Sequence, residues 1–159
     1  LLSDNGRTDF KLISHGLRHS VNCARCPATT KLICENIPEM ATCVRGTVIF
    51  SRMTGGTLIK PHCGPTNARL RIHLGLDIPP DSARPRMRVG DRWVEWEEGK
   101  CIIFDDSFEH EVEHKGTQPR TILLADIWHP GLATEAARKG YLHGDGLRRY
   151  QGATRGQFE

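Results

Sequence analysis

The sequence predicts an all-β domain with minor helical additions. Three observations carry this. Short apolar runs alternate with polar residues at a period of two. Sixteen glycines and nine prolines punctuate them densely, and no long stretch repeats apolar residues at helical spacing. At 159 residues and 38% hydrophobic content the chain suits one compact domain and leaves little for a second. We place that domain over residues 1–131 and read 132–159 as a C-terminal tail, partly disordered.

Thr47 to Met53 is β-branched and alternating, so it reads as a strand. Arg69 to Leu76 alternates strictly: Leu70, Ile72, Leu74 and Leu76 share one face, and Arg69, Arg71, His73 and Gly75 the other. Asp77 to Gly99 is a long connection with Pro79, Pro80 and Pro85, in which Trp93 to Trp96 forms a short strand. Lys100 to Phe104 reads as a short buried strand with Cys101 as a buried thiol. Asp105-Asp106-Ser107 reads as a turn, His110 to Glu113 begins the next strand, and Arg120 to Trp128 is the last clear one. Thr134 to Lys139 suits a short helix, and the polar Gly/Arg-rich stretch beyond Gly140 reads as loose. A double-stranded β-helix, or jelly-roll, is one way to close such strands, and periodicity leaves other β-sandwiches open.

Charged residues make up 26% of the chain and the formal net charge is +3, a balance too small and scattered to suit nucleic acid. No window approaches the roughly 20 apolar residues of a membrane span, so no membrane contact is expected from this stretch. The start at Leu1, without Met or a signal-peptide pattern, reads as a piece of a longer protein. Six cysteines stand at positions 23, 26, 34, 43, 63 and 101. The first four favour a disulfide in an oxidising compartment; a zinc-stabilised interaction domain is the alternative.

Chemistry is suggested by polar residues on strands that must be half buried. With the apolar face of the Arg69 strand turned outward, Arg71 and His73 point into the barrel, where a buried Arg needs an anion. With that face turned inward, they stand in water. Both readings fit the alternation. His62 and His110 sit at strand edges, and imidazoles are the commonest metal ligands. Two His and one carboxylate on one face of a metal mark non-haem iron(II) oxygenases, but the position two after His62 is Gly64. Arg120 opens the last strand, placed either to grip a carboxylate with two prongs or to form a surface ion pair with Glu109, Glu111 or Glu113.

Longer stretches carry a resemblance. The segment Pro61-His-Cys-Gly-Pro-Thr-Asn-Ala-Arg-Leu-Arg-Ile-His-Leu-Gly-Leu76 resembles the first metal-ligand segment of the aspartyl/asparaginyl β-hydroxylases. Trp96-Glu-Glu-Gly-Lys and Phe104-Asp-Asp-Ser-Phe-Glu-His-Glu-Val112 resemble the second, and Asp126-Ile-Trp-His-Pro130 the closing strand. The likeness runs from about Cys26 to Pro130. The stretch from Phe10 to Gly16 resembles an opening strand, with Arg7 where a Trp is expected.

The resemblance implies a cupin-like double-stranded β-helix that holds Fe(II) and uses 2-oxoglutarate and O2. It implies that His62 and His110 bind iron. A water would take the place of the missing carboxylate, held by Asp106. Ser51 and Arg120 would bind the distal carboxylate of 2-oxoglutarate, Arg71 and His73 would complete that pocket, and Met53 would line it. The implied reaction hydroxylates the β-carbon of Asp or Asn in a peptide or protein, with succinate and CO2 as co-products. Epidermal-growth-factor-like domains are among the implied substrates, and a membrane-anchored enzyme of the endoplasmic reticulum, with its catalytic domain in the lumen, is the implied setting. Halogenation, which Gly64 permits by leaving room for chloride on the iron, a lipid or small acyl substrate, and a non-catalytic β-sandwich binding module are the alternatives.

Overall fold

The structure is a computed structural model that describes residues 2–4, 6–80 and 84–142. In chain order the elements are β1 Leu2–Asp4, β2 Arg7–Ser14, β3 Leu17–Arg18, α1 Ser20–Arg25, α2 Pro27–Asn36, α3 Pro38–Thr42, β4 Thr47–Met53 and β5 Thr57–His62. There follow β6 Arg69–Asp77, β7 Arg86–Val89, β8 Arg92–Glu95, β9 Cys101–Phe104, β10 His110–His114, β11 Arg120–Trp128, a 3-10 turn at Pro130–Leu132 and α4 Glu135–Leu142. A major sheet runs β1-β2-β4-β11-β6-β9 with β3 on β2, and a minor sheet runs β5-β10-β7-β8. The strand pairings are antiparallel, and the two sheets close on one another as a double-stranded β-helix.

The barrel core joins both sheets. Ile49, Met53, Ile122, Leu124 and Phe104 from the major sheet meet Met87 and Val112 from the minor one around Trp96. A second core lies on the outer face of the major sheet, where α1, α2 and α3 place Cys23, Ile33 and Met40 against Leu12, Val48, Ile72 and Ala125. These helices have 6, 10 and 5 residues, too short to persist alone. Each large aliphatic side chain buried there contributes about 1.5–3 kcal/mol. Their start signals are present in the chain: Pro27 and Pro38 each sit in the first turn.

That outer layer settles the two readings of the Arg69 strand. Ile72 packs under the helices, so Arg69 and His73 are the buried members of the polar face inside the barrel. The apolar face is half covered through Ile72 while Leu76 stays exposed, which alternation alone does not reveal.

Other expectations are corrected. All six cysteines are free thiols, so the expected disulfide is not formed. Cys23 belongs to the helix-covered core, whereas Cys43 packs with Ala68, Trp128, Leu132 and Tyr141 in a different one. The Lys100 strand is an edge strand rather than a buried one: Cys101 and Ile103 are exposed, while Ile102, half-buried, and Phe104, buried, turn toward the core. Within the long connection a second strand, β7, pairs with β8 as a hairpin, turning at Gly90 with φ +58°. Trp96 falls outside β8 and is wholly buried.

The predicted C-terminal helix is present as α4, and it docks through Tyr141, whose hydroxyl lies 2.6 Å from Thr66 Oγ1. Tyr141 and Leu142 are therefore ordered in a helix, and the rest of the expected loose tail, 143–159, lies outside the described residues. No helix among the described residues is long and apolar enough to cross a membrane.

Candidate active site

β5 and β10 are neighbours, and their register sets His62 directly opposite His110. The ring centroids are 4.2 Å apart and the planes tilt by 51°. Each Nδ1 lies 2.8 Å from the backbone carbonyl two residues back, Lys60 for His62 and Phe108 for His110. A carbonyl only accepts, so each Nδ1 carries the proton and each Nε2 is left as the lone-pair nitrogen. This is the second contact that orients a metal-binding imidazole. Burial, joined by the His62 ring, holds His110 below the ordinary imidazole value, against the Phe108 carbonyl bond.

Gly64 explains why no carboxylate stands beside the pair. Its backbone N–H donates to the Asp106 carbonyl at 2.6 Å. A Cβ at this position would lie 2.4 Å from Asp106 Oδ2. The Asp106 carboxylate already fills the space that a side chain at 64 would need. Asp106 in turn is held by Arg69, whose Nη2 donates at 2.5 Å and Nε at 3.1 Å, and by Arg71 Nη1 at 3.2 Å. Arg71 also grips Asp126 through Nε at 2.8 Å and Nη2 at 3.1 Å, while Asp126 accepts the Thr47 N–H. Both carboxylates are wholly buried, and this network of two guanidiniums neutralises them. Among the described residues no group of three or more His, Cys, Asp or Glu converges as a metal site. The pair therefore offers two protein donors, which fits a metal whose other ligands come from small molecules.

Deeper in the barrel stand polar groups without protein partners. Arg120 is 3% exposed, and its Nε and Nη1 have no hydrogen-bond partner. Its guanidinium lies over the Trp96 ring at 4.5 Å. Burial, then the charge of Arg7, pushes its pKa down to about 9, against the pull of Asp9. Neither ring nitrogen of buried His73 has a partner. The ring stacks on Trp96 at 5.8 Å and meets Phe104 edge-on at 5.1 Å. Burial, then the charges of Arg120, Arg71 and Arg7, hold His73 well below the ordinary value, so it is neutral. Ser51 lies on β4 beside β11, and its Oγ accepts from Arg7 Nε at 3.1 Å. Buried donors of this kind call for acceptor oxygens. The surface ion pair offered as the alternative for Arg120 is not formed, because Glu109 and Glu111 bind Arg88 and Glu113 binds Arg86.

The family model for aspartyl/asparaginyl beta-hydroxylase matches residues 3–130. The chain belongs to that family. Human aspartyl/asparaginyl beta-hydroxylase is 44% identical over 131 residues, 82% of this chain and 17% of that protein. Aspartate beta-hydroxylase domain-containing protein 2 of Xenopus tropicalis is 40% identical over 127 residues, 78% of this chain and 34% of that protein. The chain thus spans a small part of the curated relatives it matches. Among solved structures, the Schizosaccharomyces pombe Cnp3 cupin domain is similar in outline, at 10% identity and a TM-score of 0.45, over 60% of this chain and 62% of that one.

In this member of the family the structure brings His62 and His110 into contact and gathers Ser51, Met53, His73 and Arg120 on the inner face of the major sheet. Arg71 and Asp106 are tied to each other between the two groups, so part of the Arg71 fork is already engaged. Sequence reasoning passed over Arg69, Asp126 and Trp96. Asp126 carried a signal, a lone carboxylate inside the apolar run Ile122 to Trp128. Arg69 had been grouped only with its strand face.

Proposed function

We propose that this chain is the catalytic domain of an iron(II)- and 2-oxoglutarate-dependent hydroxylase acting on the β-carbon of Asp or Asn in a peptide or protein. One observation carries the reading. Two imidazoles with bare Nε2 atoms stand over an interior that also holds a buried guanidinium whose Nε and Nη1 have no hydrogen-bond partner. His62 and His110 would hold the metal. Bound there, the iron supplies O2 activation coupled to oxidative decarboxylation of 2-oxoglutarate to succinate and CO2.

The chain's own residues bind and orient. Arg120 and Ser51 fix the distal carboxylate of the co-substrate, which sets where its keto acid end must lie. His73, neutral and lacking partners, offers an N–H to the same molecule. Asp106 would accept a hydrogen bond from a water that takes the place of a third protein ligand beside the imidazole pair. Arg71 holds Asp106 in place, and Met53, Trp96 and Phe104 keep bulk water out of the pocket. Epidermal-growth-factor-like domains as substrates, and the lumen of the endoplasmic reticulum as the compartment, are proposed on family membership alone.

Anaerobic titration of the protein with Fe(II) and 2-oxoglutarate tests the reading. A visible charge-transfer band is expected at one equivalent, and it should be absent in His62→Ala. No band in the parent protein, or an unchanged band in His62→Ala, would overturn it.

A further inference from the structure

Arg7 opens β2, at the edge of the same inner face that carries Ser51 and Arg120. The sheet register shows where it points. Arg7 on β2 is opposite Met53 on β4, and Met53 is opposite Arg120 on β11. In the next inward-facing row Asp9, Ser51 and Ile122 are opposite one another. Directly paired residues of antiparallel strands share a face, so Arg7 and Arg120 approach the same interior from either side of Met53.

Arg7 Nε donates to Asp9 Oδ1 at 2.9 Å and to Ser51 Oγ at 3.1 Å. A serine hydroxyl has one hydrogen and two lone pairs. Having accepted from Arg7, Ser51 keeps its own hydrogen free to donate away from β2. The single Nε hydrogen is shared between the Asp9 carboxylate and the Ser51 hydroxyl, and Asp9 holds the guanidinium beside Ser51. The side chain of Arg7 is 32% exposed, whereas Arg120 on the other side of Met53 is 3% exposed. The two like charges stand close enough for Arg7 to be the leading charge acting against protonated Arg120. An anion between them relieves that repulsion.

We propose that Arg7 is a positioning residue for the co-substrate pocket. It turns the Ser51 hydroxyl toward the ligand's distal carboxylate and adds a second cation that favours a dicarboxylate over a monocarboxylate 2-oxo acid. The proposal rests on the reading of Ser51 and Arg120 as the distal carboxylate site.

The test is anaerobic calorimetry on the Fe(II)-loaded chain with two probes, 2-oxoglutarate and 2-oxopentanoate, which has a methyl group where the distal carboxylate would be. Arg7→Met should weaken 2-oxoglutarate about tenfold, as expected when the Ser51 hydroxyl is no longer held toward the charged carboxylate and that hydrogen bond is lost. Its affinity for 2-oxopentanoate should stay within about twofold, and Arg7→Lys should recover much of the loss. In a Ser51→Ala background the effect of Arg7→Met should shrink to about threefold or less.

Equal losses for both probes would reduce Arg7 to a structural role and overturn the proposal, as would an unchanged 2-oxoglutarate affinity. A full tenfold effect without Ser51 would overturn the positioning role. Arg120→Met separates the two levels. If it leaves 2-oxoglutarate binding intact, the pocket reading itself fails; if it abolishes binding while Arg7→Met changes nothing, only the role of Arg7 fails.

Discussion

Replacing Arg120 with methionine should make the ligand-free protein more stable and remove its response to 2-oxoglutarate. A guanidinium pushed from its ordinary value down to about 9 is disfavoured in its charged form by about 5 kcal/mol, at roughly 1.4 kcal/mol for each pKa unit. Contact with the Trp96 ring returns about 2 kcal/mol in a desolvated setting. The net burden is about 3 kcal/mol, and a methionine can occupy the same channel between Met53 and Trp96. We expect Arg120→Met to gain about 1–3 kcal/mol in urea unfolding and to melt several degrees higher, at about 2–4 °C per kcal/mol for a chain of this size.

The sign with pH follows from the depressed value. The burden is fully present below about pH 9 and is relieved as pH rises beyond it. The gap between variant and parent should therefore be constant near neutrality and narrow above pH 9. Adding 2-oxoglutarate at about 100 times its Kd to the Fe(II)-loaded proteins should stabilise the parent by about 2.7 kcal/mol and the variant scarcely at all. A variant less stable than the parent without ligand, or one stabilised equally by it, would refute the assignment of Arg120 as a cation awaiting an anion.

Gly64→Ala should destabilise the fold by about 1–3 kcal/mol in urea unfolding, because the new methyl meets the Asp106 carboxylate. Gly64→Asp should fail to add a third protein donor, read as no gain in Fe(II) affinity. Asp106→Asn leaves Arg69 and Arg71 short of a buried counter-charge and should cost about 3–5 kcal/mol in the same assay. Its Fe(II) affinity should fall about 10–100-fold, less than for loss of His62. Burial pushes the Cys43 thiol up to about 11, so alkylation of the native protein at pH 8, followed by mass spectrometry, should label exposed Cys63 and Cys101 and spare Cys43.

By itself the sequence determined the strands that alternate cleanly, Thr47–Met53 and Arg120–Trp128 among them, because a period of two is written residue by residue along the chain. It also carried the family, through uninterrupted stretches around His62 and His110. The helices over residues 20–42 were not legible. They are short, weakly patterned and stabilised by what they cover.

Only the tertiary structure decided which face of β6 is inside, because the helical layer half covers the apolar face through Ile72. It also decided that Asp106 is locked by Arg69 and Arg71, that Gly64 must lack a side chain, and that Arg7 and Arg120 stand on either side of Met53. The physical reason is common to all four. Burial, ion pairing and excluded volume are properties of groups that meet across strands, and their partners lie far away along the chain, where no local period records them.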